Sequence, residues 1–78
     1  MKYCYFCHGE LAEELTTFVY EADDRVWMIR QVPTLVCQQC GEKEYTQNTT
    51  HQILSFLKHP SRPTEILRIP AYDWAVVA

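Results

Sequence analysis

The sequence predicts a small α+β domain: an antiparallel β-sheet with one helix and a C-terminal extended strand, organised around two cysteine knuckles. Three observations lead there. All four cysteines fall into two Cys-x-x-Cys pairs, CYFC at 4–7 and CQQC at 37–40, and each pair is followed by one of the chain's two glycines. The stretch between the pairs is rich in β-branched and aromatic residues, as strands are. The stretch after them carries apolar residues at helical spacing.

The elements follow in order. Residues 3–9 form a tight knuckle around Cys4 and Cys7. From Leu15 to Glu21, Thr16, Phe18 and Tyr20 alternate with Thr17 and Val19, which predicts a strand. Ala22-Asp23-Asp24 is a turn. Arg25 to Val32 is the second strand of a hairpin, with Trp27 and Ile29 on one face and Val26, Met28 and Val32 on the other. Pro33 is expected to close it, since proline cannot donate to a continuing ladder. Leu35 and Val36 lead into the second knuckle.

Thr46 is a suitable helix N-cap, and Thr50, Ile53, Leu54 and Leu57 then share one face of a helix. Lys58 and His59 sit in its last turn, where the helix dipole favours cations. Pro60 and Pro63 cannot continue a helix and bound a short linker. The tail, EILRIPAYDWAVVA, is apolar where chain ends are usually polar. Residues 1–59 thus read as a metal-binding domain. Residues 60–78 are either part of it or a partner-binding extension.

Composition narrows the classes. The chain has 78 residues, 47% hydrophobic and 22% charged, with a net charge of −3. Chains this short rarely gain more than about 3–5 kcal/mol from an apolar core and usually carry a staple. Only seven Lys and Arg are present, scattered at 2, 25, 30, 43, 58, 62 and 68. Phosphate binding needs a concentrated basic face, so nucleic acid is not the expected partner. No leader and no membrane span is visible, and the chain is expected in the cytoplasm, where thiols stay reduced.

The cysteines carry the chemistry. Each pair can supply two thiolates from one turn, and Cys4, Cys7, Cys37 and Cys40 together make a tetrahedral zinc site. Gly9 and Gly41 are expected to allow the positive φ that such turns need. Twenty-nine residues separate the pairs, room for the hairpin to leave the metal and return. Two Cys-x-x-Cys disulfides would close tiny loops and stabilise little. A redox motif needs a helix start in a βαβ setting, which neither pair has. Four thiolates fill the coordination sphere, so the expected zinc is single and structural, and the architecture is zinc-ribbon-like. His8 is then a spare exposed residue. His51 and His59 lie two turns apart with no catalytic companions, so no enzyme is expected. Glu13-Glu14 and Asp23-Asp24 are solvated acids or an acidic face for a basic partner.

These residues resemble a known family. Cys4-x-x-Cys7, Trp27 with Ile29, Val32-Pro33, Cys37-x-x-Cys40-Gly41-Glu42 and the helix over about 46–59 are similar to the YgiT-type zinc-finger family, which includes the zinc-binding N-terminal domain of MqsA-type antitoxins. Long members add a DNA-binding helix-turn-helix domain. This chain resembles the short, stand-alone members. The resemblance implies zinc ligands at Cys4, Cys7, Cys37 and Cys40. It also implies a toxin–antitoxin role, in which the domain holds a small RNase toxin by direct contact.

In that setting the tail reads as a partner-binding segment, with Ile66, Leu67, Ile69, Tyr72 and Trp74 as contacts. Folding back on its own hairpin, or sharing the strand across a homodimer, are the alternatives. Two functions remain: an antitoxin that covers a small basic toxin, or a zinc-ribbon nucleic-acid or transcription-regulatory module.

Overall fold

A computed structural model describes residues 3–78. Its centre is the hairpin of β1 (Leu11–Ala22) and β2 (Arg25–Cys37); β1 is longer at both ends than the strand expected from sequence, and β2 starts where expected but runs on past Val32. The turn is two residues, Asp23 and Asp24, at φ 52° and 62°. Such turns match the twist of the flanking strands, and Asp tolerates the left-handed region they require. The register sets Leu11 opposite Cys37. The hairpin therefore leaves one knuckle and returns to the other.

Pro33 does not close the ladder. It pairs with Leu15, and β2 runs on to Cys37. A proline is accommodated where its missing N–H falls on an unpaired edge. Such an edge exists here, because β3 (Lys43–Glu44) pairs only with Leu35 and Val36. The sheet order is β1-β2-β3, antiparallel throughout.

The expected face assignment of β2 is also corrected. Thr16 pairs with Val32 and Phe18 with Ile29, so Thr17 alone stands against Arg30 and Gln31. This β-bulge, with Gln31 at φ 61°, shifts the alternation by one residue. Val32, at 4% exposure, joins the side of the half-buried Trp27 and Ile29, while Val26 and Met28 stay exposed. On the inner side, Thr34 donates to the carbonyl of Val32 at 2.9 Å and accepts from the Thr16 hydroxyl at 2.7 Å. Tyr20 meets Trp27 across the strands at a centroid distance of 5.9 Å.

Helix α1 (Gln47–Lys58) starts where expected: the Thr46 side chain caps it by accepting from Thr49 N–H at 3.1 Å. His59 is the C-cap, and its N–H donates to the carbonyls of Ser55 and Phe56. The inward stripe differs from the expected one. Ile53 is buried and Thr49, Phe56 and Leu57 are half-buried, while Thr50 and Leu54 face solvent. Tyr45, just before the cap, packs edge-on against Phe18 at 6.0 Å.

The expected C-terminal strand does not form. Residues 60–73 have no ladder partner among the described residues, and one helical turn follows, α2 (Trp74–Val77), capped by Asp73. Arg30 ties the segment to β2 through Glu65 at 3.1 Å. Among the described residues the buried hydrophobics are Cys4, Val32, Cys37 and Ile53. The radius of gyration is 15.3 Å, against about 11.5 Å for a compact chain of this length. No helix of the described residues is long and apolar enough to cross a membrane.

The threonine pair gives a test of the hairpin core. Thr34→Val should lower the stability of the metal-loaded protein by about 1–2 kcal/mol, since it removes both bonds of a buried hydroxyl. Thr16→Val should cost less, because Thr34 keeps its bond to Val32. Denaturant unfolding of the two variants and the double variant measures the coupling.

Candidate metal centre

The two knuckles are built alike. In the first, Cys4 N–H donates to the Gly9 carbonyl at 2.7 Å, and His8 N–H donates to the Cys4 carbonyl at 3.0 Å. In the second, Cys37 N–H donates to the Glu42 carbonyl at 2.8 Å, and Gly41 N–H donates to the Cys37 carbonyl at 3.0 Å. His8 and Gly41 hold the same place in the two turns, at φ 64° and 80°. The expected role of Gly41 is therefore present, but that of Gly9 is not. Position 9 needs glycine for space: a Cβ there would lie 2.7 Å from the Gln39 Cβ and 2.9 Å from the Cys37 Sγ. His8, a histidine in the left-handed region, takes the turn that Gly9 was expected to make.

Several bonds hold the knuckles together. Gln38 N–H donates to the Glu10 carbonyl at 2.8 Å. Tyr5 N–H donates to the Glu44 carboxylate at 3.2 Å, which fastens the first knuckle to β3. An isolated bridge between Tyr3 and Glu10 closes the first turn.

This brings all four predicted ligands together. The sulfurs of Cys4, Cys7, Cys37 and Cys40 lie within 4.8 Å of one another. The Cys4–Cys40 pair is at 3.8 Å and the Cys7–Cys37 pair at 3.4 Å, each joining one knuckle to the other. A disulfide sulfur pair is about 2.05 Å apart, so these thiols are free. Ligands about 2.3 Å from a tetrahedral centre stand about 3.8 Å from each other, close to the spacings seen. The four cysteines are thus arranged to hold one metal ion. Neither pair opens a helix, the setting that redox chemistry needs.

Backbone amides already point at the sulfurs. Phe6 N–H donates to Cys4 Sγ at 3.3 Å and Gly9 N–H to Cys7 Sγ at 3.4 Å. Cys37 Sγ receives two, from Gln39 and Cys40, both at 3.4 Å. These donors favour the thiolate. The N–H of Cys40, followed by that of Gln39, outweighs burial and brings the Cys37 thiol down to about 6. At Cys40 the Glu42 N–H pulls the other way, but the neighbouring Cys7 thiol, burial and the Cys37 and Cys4 thiols together push it up to about 12. At Cys7 the Gly9 N–H is likewise overcome by the Cys37 thiol and burial, and its value rises. Crowded thiols resist losing every proton, and a divalent cation is what allows four thiolates to share so small a space. Cys4 and Cys37 are buried at 1% and 2% exposure, while Cys40 is exposed, which leaves the site a side open to an incoming ion.

None of the other candidates joins this group of four sulfurs. His8, His51 and His59 are exposed, as are Glu13, Glu14, Asp23 and Asp24. Ile66, Leu67 and Ile69 line a cleft beside β2 together with Trp27, Ile29 and Phe56. Tyr72 and Trp74 lie outside that lining and are 78% and 79% exposed. Sequence reasoning missed Glu44, whose carboxylate supports the first knuckle. A two-residue strand leaves no periodic signal that could have found it. The chain matches no family model, no curated protein and no solved structure.

The two glycines should respond differently to alanine. Gly9→Ala should weaken metal binding by roughly 10- to 100-fold, the range for losing support behind a ligand, because its Cβ displaces Cys37. Gly41→Ala meets no atom within 4 Å and should cost only about 1–2 kcal/mol of backbone strain. Competition with a chelator, alongside unfolding curves, separates these effects.

Proposed function

We propose that this chain is a zinc-stabilised protein-binding module that acts as the antitoxin of a type II toxin–antitoxin system, neutralising a small basic toxin of RNase type by direct contact. The observation that carries the reading is the uncovered tail. Ile66, Ile69, Tyr72 and Trp74 are 81%, 58%, 78% and 79% exposed. Apolar and aromatic side chains grouped in this way mark an interaction segment, and aromatic residues are favoured anchors at interfaces. The negative net charge suits a basic partner. The resemblance of the cysteine, Val-Pro and Cys-Gly-Glu residues to YgiT-type proteins supports the toxin–antitoxin setting.

Zinc is the ion that best suits the site. Four thiolates are soft ligands, and their spacing fits a tetrahedral centre. The ion, when bound, would supply a closed and non-catalytic crosslink. Cys4 and Cys7 hold one knuckle to it, and Cys37 and Cys40 the other. What the chain then offers a partner is a rigid hairpin with an apolar segment beside it.

Two outcomes are expected. Purification of the tagged chain from its native cells should bring down one small basic protein in near-equal amount, and deletion of residues 60–78 should abolish that while zinc stays bound at one per chain. Retained co-purification would overturn the role of the tail, and nucleic acid in place of protein would overturn the function. Removal of zinc should unfold the knuckles and hairpin, since structural zinc in small fingers is worth about 10–16 kcal/mol. Unchanged circular dichroism after verified metal removal would contradict that.

A further inference from the structure

β1 lies at one edge of the sheet, and among the described residues its outer side has no ladder partner along its 12 residues, the bridge from Tyr3 reaching only Glu10 just before it. Exposed edges invite pairing with other strands, and proteins usually blunt them with charged residues, lysine above all, with proline, a bulge or a covering segment; the charges of β1 are all acidic, so they turn away an acidic strand and leave the edge open to a basic one. β1 has no lysine and no proline, and the extra residue of the bulge belongs to β2. The tail runs beside β2 instead, where it meets Val26 to Gln31.

What marks this edge is charge. From Tyr3 to Asp24 the chain carries Glu10, Glu13, Glu14, Glu21, Asp23 and Asp24, with no Lys or Arg among them. No ion pair among the described residues engages Glu13, Glu14 or Glu21. This pattern selects among occupants. Two copies pairing β1 to β1 would bring acidic strands side by side, which is unfavourable. A strand bearing Lys and Arg gains both backbone hydrogen bonds and cross-strand charge pairs. Glu13, Leu15, Thr17, Val19 and Glu21 share the odd face of the strand, with Leu15 at 65% and Val19 at 55% exposure and Thr17 half-buried. An acid therefore stands towards each end of that face, with Leu15 and Val19 flanking Thr17 between them.

We propose that the outer edge of β1 is a docking site for an extended strand of a partner protein, one with basic residues flanking an apolar centre, which would lengthen the sheet to four strands. The proposal rests on the protein-binding reading above for the nature of the partner, and it places a second contact far along the sequence from the tail. The hairpin geometry defines which groups take part. A two-residue turn makes Ala22 and Arg25 a hydrogen-bonded pair, so Val19 and Glu21 direct their N–H and C=O groups outward.

The probe is a synthetic peptide, Lys-Thr-Val-Thr-Val-Thr-Val-Thr-Lys, added to the zinc-loaded full chain, with the same peptide carrying Glu in place of both Lys as control. Amide exchange is followed by NMR. The basic peptide should slow exchange at Val19 and Glu21 several-fold, and the acidic one should not. A Glu13→Lys/Glu21→Lys variant, on the exposed edge, should reverse the preference. Exchange unchanged at saturating basic peptide, or slowed equally by both peptides, would overturn the proposal. Deletion of residues 60–78 should leave the edge signal intact. A basic protein that co-purifies while the peptide leaves β1 unprotected would keep the protein-binding reading and remove the edge.

Discussion

Everything in this molecule leans on four sulfur atoms brought within 4.8 Å of one another. Among the described residues four hydrophobic residues are buried; two are cysteines of the candidate metal site, and Val32 and Ile53 remain as ordinary core. Two such side chains contribute about 3–6 kcal/mol by burial. A structural zinc of the kind proposed contributes about 10–16 kcal/mol in small fingers. With zinc bound as proposed, the balance of magnitudes would make the metal centre the anchor and the apolar contacts its accessories. The folded state would then not depend on burying the apolar surface that the chain leaves uncovered.

The hairpin converts that anchor into a surface. Both strands are rooted at the knuckles, so the far end of the hairpin projects with little around it. The bulge at Arg30 and Gln31 turns the inner face so that Val32 and Thr34 sit beneath the helix side of the sheet, while Leu15, Val19, Val26 and Met28 stay outside. The tail lies along the β2 side, held by Arg30 and Glu65. Two edges of one sheet are thus dressed differently, an acidic one at β1 and a cleft lined with apolar residues at β2.

Much of this was legible in the residues, and the failures have physical causes. The ligand set was readable because Cys-x-x-Cys spacing is a local property, and Thr46 was readable as a cap because capping is local too. The bulge was not, since alternation assumes unbroken pairing and nothing in Arg30-Gln31 signals a left-handed residue. Two members of the helix stripe were misread, Thr50 for Thr49 and Leu54 for Phe56, because apolar residues on both sides of a short helix leave its inward face to be decided by what it packs against. Pro33 was given too much weight: its effect depends on whether β2 has a neighbour there, which is a question of topology. The tail's apolar run suggested a strand, yet strands need partners, and residues 60–73 find none among the described residues.

Cys37 is at once the last residue of β2 and the first ligand of the second knuckle. A slip of one residue in the pairing of the two strands moves a side chain about 3.3 Å along the strand and turns it to the opposite face. Such a slip would carry Cys37 out of reach of Cys7, and the four-sulfur cluster could not close. A metal ion held by the four cysteines would therefore act on this hairpin as a gauge of alignment. Of the ways the two strands could zip together, it would reward the one that sets Leu11 opposite Cys37, and with it the correct presentation of every side chain further up the sheet.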